Sequence, residues 1–130
     1  MKQTFRKELL SGKTLIGTVV TLPSPQLAEI LAHVGFDWLW IDSEHSPLEM
    51  GEVQGILQAA GDRCAGVVRV PASDEVYIKK AFDIGAAGII APHVDTAKPF
   101  LNQGYSLIAV GIDTMIFGYA ARDMLAQMRK

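Results

Sequence analysis

The sequence predicts an α/β domain organised on a parallel sheet of about five strands with helices between them. Three observations lead to that class. Short apolar runs bounded by Gly or Pro alternate with segments whose apolar residues recur at helical spacing. The run Trp38 to Ile41 shows no polar alternation, as a strand covered on both faces does. The chain has 130 residues and is 49% apolar, enough for one core and too short for two.

Each element has a local reason. Thr4 to Leu10 reads as a short helix closed by Ser11-Gly12-Lys13, and Thr14 to Thr21 is a β-branched first strand. Ser24 can cap a helix carrying Pro25 at its first position, with Leu27, Ile30, Leu31 and Val34 in its apolar stripe and Gly35 as its stop. After the strand at Trp38 comes a helix from Leu48 to Ala60, with Met50, Val53, Ile56, Leu57 and Ala60 inward. Ala65 to Pro71 is the third strand. Ser73 or Asp74 caps the next helix, whose apolar set is Val76, Ile78, Ala81, Phe82 and Ile84. Ala86 to Ala91 is a fourth strand. A short helical stretch from Thr96 to Gln103, a fifth strand from Ser106 to Val110 and a final helix through Met124 complete the order.

Two closures of the sheet fit this order. An open doubly wound sheet suits the length, whereas a complete eight-stranded barrel ordinarily takes about 250 residues. Other classes are disfavoured. The net charge is −2 with no basic run, so nothing recommends a nucleic-acid surface. No apolar run approaches a membrane span and no signal-peptide core precedes the first helix, which together with the single Cys64 suggests a cytoplasmic setting. Neither G-x-G-x-x-G nor a P-loop is present.

Chemistry concentrates in Asp42-Ser43-Glu44-His45-Ser46-Pro47, where the second strand gives way to loop. In parallel α/β folds ligands gather at the carboxyl ends of strands. Asp42 and Glu44 would share one face of a continued strand, and a carboxylate beside His45 is the pairing that tunes an imidazole for proton transfer. The alternative is a solvated turn capping the next helix through Ser46 or a neighbour. Arg69 ends the third strand, either as an anion site or in a surface salt bridge. Asp42 and Glu44 with His45 or His93 are the remaining candidates for a metal, against a structural role; His93 itself reads as a loop residue and His33 as a helix-surface one. Trp38 and Trp40 read as packed core, and Asp113 as a helix cap.

These residues resemble the class II pyruvate aldolases of the HpcH/HpaI family. The resemblance rests on Gly17-Thr18-Val19-Val20 with Pro23-Ser24-Pro25, on Gly35-Phe36-Asp37-Trp38, and on Ile41 to Pro47. Val68-Arg69-Val70-Pro71, Asp83 to Pro92 and Ile108 to Thr114 extend it. It implies a (β/α) barrel of the phosphoenolpyruvate/pyruvate-binding superfamily and a carbon–carbon lyase that reversibly cleaves a 2-keto-4-hydroxy acid to pyruvate and an aldehyde. It implies a divalent metal (Mg, Mn or Co) as Lewis acid. Carried over by motif, His45 is the acid/base acting through a water, and Arg69 holds the keto or enolate oxygen. Asp42 orients His45 or a metal-bound water, and Glu44 belongs to the surrounding shell.

The likeness is interrupted. Residues 1–97 resemble the first four βα units of the barrel and residues 99–130 the last, within one shortened domain. The units between them, which carry the family's Glu and Asp metal ligands, have no counterpart, so no metal ligand is identifiable. The expectation is therefore double: an aldolase by kinship, or an impaired relative persisting as a folded or oligomerising remnant. Homo-oligomers are expected in either case, with Asp113 to Lys130 as the contact.

Overall fold

The computed structural model describes residues 2–92 and 122–128. The chain divides into two compact units, Met1–Pro92 and His93–Lys130. In the second, residues 122–128 are helical and exposed. The expected stretch at Thr96, the fifth strand and the rest of the final helix lie outside the described residues, as do His93 and Asp113.

In the first unit α1 (Lys2–Leu10), β1 (Gly17–Val20), α2 (Pro25–Val34), β2 (Trp38–Asp42), α3 (Met50–Ala60), β3 (Ala65–Arg69), α4 (Glu75–Asp83) and β4 (Gly88–Ile90) follow in the expected order. The strands form one parallel sheet in the order β1-β2-β3-β4. Sequential neighbours joined through helices are what repeated βα units produce.

Local signals account for most boundaries. Ser24 Oγ accepts from Leu27 N at 3.2 Å, Pro25 opens α2, and Gly35 closes it at φ +106°. β1 is shorter than expected because its approach is pinned. Asp37 Oδ2 accepts from Ile16 N at 2.8 Å, and Asp37 N donates to Ile16 O at 2.8 Å. Ser46 does not cap α3. The helix starts at Glu49, whose N–H donates to Glu52 Oε2 at 2.7 Å, while Ser46 Oγ donates back to Asp42 O. Of the two candidates for α4, Asp74 is the cap, accepting from Val76 N at 2.7 Å. Ser73 Oγ instead ties its loop to Pro92 O at the end of β4.

The sheet has two different faces. Val20, Leu39, Ile41, Val68 and Ile89 pack with Ala28 and Ala32 of α2, Val53, Ile56, Leu57 and Ala60 of α3, and Ala81 of α4. Val76 and Phe82, expected in the α4 core stripe, are 57% and 47% exposed. The reason is angular: at about 100° per residue, Phe82 lies about 100° and Val76 about 140° round from Ala81, on which the buried stripe is centred. Alternation places Gly17, Val19, Trp38, Trp40, Asp42, Val67, Arg69 and Ile90 on the opposite face. Register then aligns Asp42 with Arg69 and Arg69 with Ile90 in one row at the carboxyl edge.

Candidate functional site

Because Asp42 and Arg69 are register partners at the last positions of adjacent strands, their side chains leave the same face side by side. Arg69 Nε donates to Asp42 Oδ1 at 2.8 Å and Nη2 to Oδ2 at 2.6 Å. This is the bidentate, charge-assisted arrangement. It is buried, not the surface pair considered above, with Asp42 at 4% and Arg69 at 7% exposure. Removing two charges from water is tolerated only when their remaining polar atoms are satisfied. Asp42 Oδ1 accepts also from the backbone N–H of Glu44 at 3.1 Å and His45 at 3.2 Å. The same carboxylate thus holds the cation and folds the loop.

The electrostatics follow from these contacts. Burial pushes the Asp42 carboxyl up, but the Arg69 hydrogen bonds, the two backbone donors and the Arg69 charge outweigh it and hold it below its usual value of 3.8. Hydrogen bonding to Asp42 raises Arg69 against the effect of burial, and the charges of Asp42 and Glu44 add to the rise.

Glu44 joins this pair to the histidine. Its Oε2 lies 3.3 Å from Arg69 Nε and its Oε1 lies 3.5 Å from His45 Nε2. The His45 side chain is 48% exposed while that of Glu44 is 9% exposed. The carboxylate beside the imidazole is therefore Glu44, whereas Asp42 meets His45 through its backbone N–H. The structure brings all four expected residues together, with the two acids arranged differently from the sequence expectation.

Two further residues were not legible as site components. Ser43 is buried and donates through both N–H (3.0 Å) and Oγ (2.6 Å) to Arg69 O, fastening the loop to the end of β3. Trp40, expected to be plain core, has its ring centroid 5.3 Å from Arg69 Cζ. Its position two residues before Asp42, on the same strand face, was the available signal. A cavity of about 180 Å³ is lined in part by Ser43, Ser46, Glu49, Pro71 and Tyr77. Arg69 and His45 are not in its lining, so the charged cluster belongs to the sheet face and not to this cavity.

A divalent oxygen-ligated metal needs several hard donors, carboxylates among them. Among the described residues no group of three or more His, Cys, Asp or Glu is disposed to hold one. Asp42 and Glu44 both face the guanidinium, so a dication between them would lie against a fixed positive charge. The described residues do not fit the metal, and the Asp42–Glu44–His45 option is set aside.

Comparison with known proteins places this geometry in context. The family profile for HpcH/HpaI aldolase/citrate lyase matches residues 16–103, which include every residue of the cluster. The chain is 43% identical over 96 residues to the 4-hydroxy-2-oxovalerate aldolase of Rhodococcus jostii (strain RHA1), covering 72% of this chain and 37% of that protein. It is 41% identical over 99 residues to the hydroxypyruvate/pyruvate aldolase of Deinococcus radiodurans, covering 75% and 36%. Among solved structures, an HpcH/HpaI aldolase/citrate lyase family protein from Burkholderia cenocepacia J2315 superposes with a TM-score of 0.67 at 34% identity, covering 73% of this chain and 38% of that one. The chain spans well under half the length of these relatives, and the four-stranded sheet of the described residues is part of an incomplete (β/α) barrel.

Proposed function

Because the chain belongs to the HpcH/HpaI aldolase/citrate lyase family, we propose that it serves the reversible aldol cleavage of a 2-keto-4-hydroxy acid to pyruvate and an aldehyde. One observation carries the reading. Arg69 is fixed at the carboxyl edge with Nε and Nη2 engaged by Asp42, and no contact among the described residues engages Nη1. A half-exposed His45 stands one carboxylate away. A guanidinium locked along one edge presents its remaining nitrogen in a set direction, as a group that stabilises a developing oxyanion must.

In this reading Nη1 of Arg69 donates to the keto oxygen and holds it as charge grows there. Asp42 fixes the guanidinium, and Glu44 tethers both Arg69 and the imidazole. His45, open to solvent, moves a proton to or from the substrate through a water. The divalent metal that the family implies (Mg, Mn or Co) would supply Lewis-acid polarisation. The described residues offer no cradle for it. Cytoplasmic location and homo-oligomeric assembly belong to the same reading.

A second reading has its own support: Asp42 and Glu44 are both committed to Arg69, and no metal-holding group stands among the described residues. In it the chain orients a 2-keto acid without cleaving it. Pyruvate release from 4-hydroxy-2-keto acids, assayed with each metal in turn, separates the two. Release abolished by His45→Ala and by Arg69→Ala supports the first. Pyruvate-induced shifts of the Arg69 side-chain resonance without release support the second. Neither shift nor release refutes both.

A further inference from the structure

The face of the sheet opposite the helices carries a column of residues that leads to Arg69 and that the proposed chemistry leaves unused. It starts at Gly17, the register partner of Trp38. A Cβ built on Gly17 would lie 2.5 Å from Trp38 Cε2 and Nε1, so the bare backbone is what seats this indole. Trp38 in turn stacks on Trp40, with ring centroids 6.5 Å apart and planes 25° from parallel. Arg69 lies over the Trp40 ring. Trp40 pairs with Val67, two residues before Arg69. It is thus the diagonal cross-strand neighbour, within reach for long side chains.

We propose that Trp40, backed by Trp38 and Gly17, is the positioning residue for the Arg69 guanidinium, and so for the donor that meets the keto acid; this rests on the role given to Arg69 above. The bonds to Asp42 fix the guanidinium within its own plane. They leave it to swing about the line through Nε and Nη2, and the Glu44 contact falls at Nε, one end of that line. An aromatic face is the element that restrains that swing, because a cation over a ring is attracted to it. Trp40 Nε1 is buried and has no acceptor among the described residues, so the ring is placed by its face contacts and not by a hydrogen bond. The column, and not Trp40 alone, therefore sets where Nη1 points.

The test is the Arg69 Nε–H signal in a proton–nitrogen spectrum, assigned by its loss in Arg69→Lys. In the wild type it is expected to be shifted by the ring current and slow to exchange. Trp40→Phe should keep the protection within about threefold, and Trp40→Leu should lose it by on the order of tenfold. Gly17→Ala, which touches no atom of Arg69, should move the same signal through Trp38. An unshifted signal in the wild type, which needs no variant to fold, overturns the proposal. So does a Trp40→Leu protein whose shift and protection match the wild type. Titration with pyruvate separates this from the functional reading. Should the Trp40 series behave as expected while pyruvate leaves the wild-type signal unmoved, the column is packing only and its role at a substrate site is overturned.

Discussion

Asp42→Asn isolates the charge on which the cluster is built. The amide keeps the shape and an acceptor for the Glu44 and His45 backbone donors, but it removes the negative partner of a cation that is 7% exposed. Breaking one side of a buried pair typically costs about 3–5 kcal/mol, because the other charge remains buried. Glu44 stays 3.3 Å from Arg69 Nε and supplies a substitute. The lower end, about 3 kcal/mol, is therefore expected. Urea unfolding of both proteins at neutral pH measures it. The pH dependence adds a sign. The folded Asp42 pKa lies below the unfolded value of 3.8, so the unfolded chain takes up the proton first on acidification. This stabilisation is whole above the unfolded pKa and lost as pH falls through the folded one. The gap between wild type and Asp42→Asn should therefore close at the acid end of the titration. A difference below about 0.5 kcal/mol at neutral pH, the range of an ordinary surface change, would refute the reasoning. So would a gap that does not narrow in acid.

Three smaller expectations follow from the packing and the caps. Gly66→Ala puts a Cβ 2.1 Å from Leu57 Cδ2 and 3.2 Å from Ile41 Cδ1, where α3 meets the sheet. It should cost about 1–3 kcal/mol, read as a lowered Tm. Ser24→Ala removes the acceptor for Leu27 N and should cost about 1 kcal/mol in the same assay. Burial pushes the Cys64 thiol up to about 11, so it should resist a thiol reagent at neutral pH and react once urea unfolds the chain.

What the sequence made legible followed from local physics. Ser24, Pro25 and Gly35 mark α2 because capping and positive φ are decided within a few residues. The unbroken apolar run at Trp38 located β2, although only the helix-side Leu39 and Ile41 are fully covered, while Trp38 and Trp40 on the other face are half-buried. Besides the α2 stripe, where Ile30 and Val34 are 59% and 70% exposed and Ala28 and Ala32 are buried instead, three features were not legible. The α4 stripe was read too wide, since Val76 and Phe82 are as apolar as Ile78 and differ only in angle. Which acid meets the imidazole depended on where β2 stops. The strand ends at Asp42, the loop turns on the Asp42 carboxylate, and Glu44 is carried to His45. The contact of Trp40 with Arg69 depended on the β2–β3 register, which a single sequence does not display.

The charges of the cluster also decide what kind of oxygen Arg69 can take. On the functional reading proposed above, two carboxylates, Asp42 and Glu44, flank the one guanidinium of Arg69. A substrate carboxylate placed on Arg69 would also approach those two carboxylates. Its attraction to Arg69 would be offset by repulsion from the two acids within a few ångströms. A keto oxygen carries no net charge and needs only a directed donor, which Nη1, unengaged among the described residues, would supply. Charge develops on that oxygen only as the carbon–carbon bond breaks, and a donor fixed beforehand needs no rearrangement to meet it. In that reading the cluster suits the reacting oxygen better than the acid end of the substrate. That end requires positive charge from beyond Asp42, Glu44, His45 and Arg69.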